Sequence, residues 1–195
     1  MENGKNMENM ENMDPTWSAA LWQQFGAAID MLDNALLACP DSLWQERLWS
    51  APHDPPQPPF GEFWYVAYHT LYWLDLFLSS VADTPSGVTP PAPFPVPALD
   101  ADDDPPEQPY TKDEMLTYLA YTKRKCHSAI DALTSERAGY PYELPGEEGQ
   151  GRPISYLALM MYTMRHVQEH AAQLSLFLGQ HGIPDADLDW APRAK

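Results

Sequence analysis

A chain of 195 residues fits a single domain, large enough to bury a core without disulfides or a structural metal. Eleven Lys and Arg stand against 28 Asp and Glu, a formal net charge of −17, which argues against binding a phosphate backbone or an anionic membrane surface. No stretch reads as long and apolar enough to span a bilayer. The start carries Glu2, Glu8 and Glu11 with no apolar run, so it does not read as a secretory signal. Cys39 and Cys126 lie far apart in helical patterns and outside any metal-knuckle spacing, and read as two separate buried thiols. The expected setting is soluble, reducing and cytoplasmic, with no nucleic-acid or membrane partner.

Residues 1–13 repeat Met-Glu-Asn and read as a disordered tail with nothing to bury; residues 14–195 read as one domain. Asp14-Pro15 offers an N-cap and a first-turn proline. Trp17, Leu21, Phe25, Ile29, Leu32 and Leu36 then recur at helical spacing as far as Cys39, where Pro40 stops the helix. Residues 50–60 are proline-dense. A second helix follows to about Ala82, apolar and aromatic on all sides and therefore central. Thr84 to Pro109 is acidic and proline-rich, too long for a hairpin between neighbouring helices, and is expected to travel across the molecule. Its Asp102-Asp103-Asp104 run lacks the glycine and terminal glutamate of a calcium loop.

Thr111 with Glu114 forms a capping-box pattern for a third helix, striped by Leu116, Leu119, Lys123, Cys126, Ile130 and Leu133. After a Gly/Pro/Glu loop, Arg152-Pro153 is expected to open a fourth helix that ends at Gly182, with Pro184 barring continuation. No alternating strand stands out. The predicted fold is all-α: a four-helix bundle with a long crossover between helices two and three.

The fourth helix sets His166, His170 and Gln173 in one narrow sector beside its apolar stripe, because residues three and four apart project from one face. In the second helix His69 leaves from an aromatic face shared with Tyr65, Tyr72 and Trp73. A lone histidine on such a face is usually a core residue with hydrogen-bond partners. A pair one turn apart differs, because two buried imidazoles are costly to leave without partners and a divalent ion binds both neutral rings. His69, His166 and His170 are thus the candidate metal ligands. Gln173 is a candidate catalytic or supporting group for the rings' other N–H groups, or a solvent-facing amide. Glu169 is a candidate base, ligand or solvated side chain. Tyr65, Tyr72, Trp73 and Phe177 are the candidate lining of a cofactor or substrate pocket, and Glu62 of its mouth. His53, His127 and His181 are weaker ligand candidates. Aromatics of helix two left exposed would favour a helix-packed homodimer.

With these residues in view, the region from Trp17 to Gly182 resembles the DinB-like superfamily of small metal-binding four-helix bundles. The resemblance rests on His69 in helix two and on the helix-four pattern His-x-x-x-His-x-x-Gln, here His166, His170 and Gln173. It implies that the three histidines hold a divalent ion, commonly nickel, zinc or iron, with water completing the shell. The activities it implies are those of thiol-dependent S-transferases using bacillithiol or mycothiol, of a mycothiol-dependent maleylpyruvate isomerase, or of a metal-dependent hydrolase, and many members have no assigned reaction. The expected function is a metal-dependent enzyme acting on a small molecule, with a low-molecular-weight thiol as a candidate cosubstrate. The alternative is a non-catalytic, oligomeric metal- or ligand-binding module. No motif outside the histidines names a substrate.

Overall fold

The computed structural model describes residues 14–49, 59–79, 89–98, 105–144, 152–183 and 193–194. Over these the chain is mostly helical. Helix α1 (Pro15–Ala38) begins where the Asp14 carboxylate accepts the Thr16 N–H at 2.8 Å, and ends at Cys39 before Pro40. Leu21, Phe25, Ile29, Leu32 and Leu36 are buried as their spacing predicts; Trp17, on the same stripe, is exposed. At the start of helix α2 (Phe63–Ser79) the N–H groups of Phe63 and Trp64 are taken by the carbonyls of Glu46 and Trp44, at 3.0 Å each. The predicted end at Ala82 lies outside the described residues. Helix α3 (Lys112–Asp131) carries the full capping box between Thr111 and Glu114.

The fourth predicted helix starts later than Arg152-Pro153. A short helix, α4 (Ser135–Ala138), leads into strand β1 (Pro141–Leu144), which pairs antiparallel with β2 (Arg152–Ser155). Helix α5 (Tyr156–Gln180) then begins with Ser155 Oγ accepting the Ala158 N–H at 3.2 Å. Prolines 141 and 153 fit this ribbon because a two-stranded sheet has only edge strands, where a missing N–H is tolerated. The C-terminal stop is as predicted. Gly182 takes φ +73°, and Gly182 and Ile183 donate to the Gly179 and Leu178 carbonyls at 3.0 Å each, a Schellman closure that needs a left-handed residue.

Helix α1 packs on α5 and α3, and α2 packs on the same two. Of the predicted crossover between helices two and three, residues 89–98 are described and lie against α2 and α3, which touch each other. Phe94 stacks on Tyr118 with ring centres 4.1 Å apart, and the Tyr72 hydroxyl donates to the Ala98 carbonyl at 2.7 Å while accepting its N–H at 3.0 Å. Beneath this strap the fully buried Asp75 pairs with Lys125 and accepts the Tyr118 hydroxyl at 3.0 Å. Lys123, on the predicted stripe of α3, reaches the buried Asp30 of α1. No helix among the described residues is long and apolar enough to cross a membrane.

Candidate metal centre

The α2–α5 interface brings together the three histidines. His166 Nε2 stands 3.2 Å from His69 Nε2 and 3.1 Å from His170 Nε2, and one ring nitrogen from each residue lies within 4.8 Å of the others. The His166 and His170 rings, one helical turn apart on the same face, are perpendicular with 4.5 Å between centres.

Gln173, one turn beyond His170, fixes that ring. Its Oε1 lies 2.8 Å from His170 Nδ1 and can only accept, so Nδ1 carries a proton, and in the neutral ring Nε2 presents a lone pair to the other histidines. Burial pulls the His69 imidazole down to about 4, helped by the neighbouring His170. The same cause takes His166 to about 3, with His170 and then His69 adding to it. Both rings are therefore neutral near pH 7. His166 Nδ1 is buried with no partner, so His166 has no hydrogen bond at its outer nitrogen to set its tautomer.

These donors fit a divalent cation. A neutral imidazole carries one proton, so with Gln173 accepting at Nδ1 a neutral His170 turns a lone pair inward, and the two contacts at His166 Nε2 would then not both be good hydrogen bonds. A single cation accepts all three lone pairs. Metal–nitrogen bonds of about 2.0–2.1 Å set ligand nitrogens roughly 3.0 Å apart at right angles and roughly 3.4 Å apart in a tetrahedron, which brackets the observed separations. The imidazole set suits zinc, nickel or iron.

Beside the histidines opens a cavity of about 250 Å³ lined by Trp49, Phe60, Tyr65, Val66, His69 and His170. Of the four aromatics expected there, Tyr65 lines it and stacks near His69, with centres 6.4 Å apart. Trp73 stands edge-on to His69 at 6.3 Å. Tyr72 and Phe177 lie elsewhere: the Tyr72 hydroxyl holds Ala98, and Phe177 is buried against Phe63 and His181. Glu62, expected at a pocket mouth, turns its carboxylate to the Trp64 indole N–H at 2.7 Å and to Arg47. Glu169 is exposed and lines no part of this cavity.

Sequence reading missed Trp49 and Phe60, which reach the cavity from the loop before α2. A Cβ at Gly61 would come within 3.1 Å of the Trp49 ring and carbonyl, so the glycine is what lets the indole lie across the start of α2. That glycine was the available signal. Of the weaker histidines, His127 is exposed and paired with Asp131, His181 bonds the Phe177 carbonyl at 2.9 Å, and His53 lies outside the described residues, as do Asp102 to Asp104.

Residues 22–174 match the DinB superfamily, a span that takes in His69, His166, His170 and Gln173. The chain belongs to the DinB superfamily. No curated protein and no solved structure matches it. Membership and the histidine cluster are together compatible with divalent-metal binding, and leave the metal and any thiol unspecified.

Proposed function

We propose that this chain is a metal-dependent enzyme of the DinB superfamily, built as a four-helix bundle with a long crossover, in which His69, His166 and His170 hold one divalent ion. The observation that carries the reading is the convergence of the three Nε2 atoms, one of them turned inward by Gln173. The reaction we favour is attack of a small thiol on an apolar electrophile, with hydrolysis as its nearest relative. A divalent ion bound there supplies a Lewis acid that lowers the pKa of a thiol or a water.

The residues of the chain do the rest. Burial keeps His69 and His166 unprotonated and able to ligate. Trp49, Phe60, Tyr65 and Val66 form an apolar wall beside His69 and His170, suited to a flat or aliphatic electrophile and poorly suited to water. At about 250 Å³ the cavity favours a small substrate. With Cys39 and Cys126 both buried, neither offers a ready nucleophile of the protein's own, consistent with a thiol brought in from solution. We place the protein in the cytoplasm, with a homodimer as the expected assembly.

The deciding experiment is elemental analysis of gently purified protein beside the His69→Ala, His166→Ala and His170→Ala variants. Wild type should hold about one divalent ion per chain and each variant should lose it, since two imidazoles do not complete the shell. Near-stoichiometric metal in His166→Ala overturns the proposal. Glutathione, bacillithiol and mycothiol with a halogenated aromatic acceptor then test the chemistry. Turnover that is equal in wild type and His170→Ala removes the ion from the reaction.

A further inference from the structure

On the side of α5 that faces α1 lies a second, larger cavity of about 540 Å³, sharing no lining residue with the one at the histidines. Its volume is that of a small-molecule site. Ala20 of α1 and Ala158 of α5 leave the space, where larger side chains would have closed the helix seam. Large apolar groups stand around it in solvent: Trp17 is 68 % exposed, Met161 46 % and Tyr162 36 %. A contiguous exposed apolar patch of this kind calls for something to cover it.

One cation marks its edge. Arg165 lines the cavity and lies over the Tyr162 ring, 5.9 Å from its centre, pairing with no carboxylate among the described residues. Two cations of α3, Lys123 and Lys125, meet the buried carboxylates of Asp30 and Asp75, whereas the Arg165 guanidinium stands at the edge of the cavity. Apart from Arg165 and the amide of Gln24 the walls are apolar. The guanidinium is a donor fork matched to a carboxylate, and the remaining space is matched to hydrocarbon.

We propose that the α1–α5 cavity is a binding site for an apolar monocarboxylate of the medium-chain fatty-acid type, its head on Arg165 and its chain between Trp17, Met161 and the two alanines. The site is independent of the metal centre. Ligand and ion should bind without excluding each other, since the two cavities share no lining residue.

The test is calorimetric titration of the full-length protein with decanoate and, in parallel, with uncharged 1-decanol. Wild type should bind one decanoate per chain and bind 1-decanol more weakly. Arg165→Gln, a change at an exposed position, should weaken decanoate about tenfold and leave 1-decanol unchanged. Ala20→Trp, also exposed, should fill the cavity and remove both, with metal content unaltered. Decanoate bound no better than 1-decanol, or bound undiminished by Ala20→Trp, overturns the proposal. So does a dimer in sedimentation that Ala20→Trp converts to monomer, because the cavity would then belong to a second copy of the chain.

Discussion

Gln173 Oε1 lies 2.8 Å from His170 Nδ1, a single hydrogen bond that decides which nitrogen of the imidazole looks inward. Replacing Gln173 with Leu should leave the fold intact and free the ring to rotate or change tautomer. Metal affinity should then fall about tenfold to a hundredfold, short of the complete loss expected when a ligand itself is removed. Competition against a chelator of known affinity would measure it; an unchanged affinity would make the amide incidental.

The metal-free protein should lose stability as pH falls below about 6.5. His69 and His166 are held at about 4 and about 3 in the folded state, against an ordinary value near 6.5 when unfolded. Between those limits the unfolded chain binds more protons than the folded one, so stability rises with pH across the window and is lost as pH drops through it. Thermal melts in EDTA at pH 8, 6.5, 5 and 4 would show a steeper fall for wild type than for His69→Leu. Parallel curves for the two would mean that other groups carry the effect.

Much of this site was legible in the sequence, because helical periodicity is a property of the chain itself. His166, His170 and Gln173 share a face wherever α5 goes, and the caps at Asp14, Thr111 and Gly182 are local chemistry. Properties that depend on which surfaces meet were not legible. Tyr72 and His69 leave α2 in the same sector, yet the strap claims Tyr72 through Ala98 and leaves His69 to α5. Trp49 and Phe60 come from a proline-dense segment with no periodicity to follow. The β1–β2 ribbon has four residues per strand and a proline in each, too short and too irregular to alternate visibly.

Asp75 should be worth more to stability than any exposed carboxylate. It is wholly buried, paired with Lys125 and bonded to Tyr118, whose hydroxyl is pushed well above the usual phenol range by burial and then by the Asp75 charge. Asp75→Ala leaves a buried ammonium without its partner and should cost about 3–5 kcal/mol. The double change Asp75→Leu with Lys125→Met should recover most of that. Denaturant melts of the single and double variants decide; additive losses would show that the two side chains act separately.

The strap should be held chiefly by its aromatic plug. Phe94→Ala empties a buried slot against Tyr118 and should cost about 3 kcal/mol, whereas Tyr72→Phe removes the hydroxyl at Ala98 and should cost about 1 kcal/mol. Neither should change metal content, since neither residue touches the histidines. A drop in bound metal in Tyr72→Phe would return that residue to the site.

His69 and His166 are 97 positions apart in the chain. An ion shared between them therefore behaves as a removable cross-link, closing a loop that the unfolded polypeptide would have to pay to close in entropy. Its effect is largest where the two ends meet and reverses with a chelator. Amide exchange through the middle of α2 and α5 should then quicken on chelation, while the α1–α3 contact, tied by Lys123 and Asp30, keeps its protection.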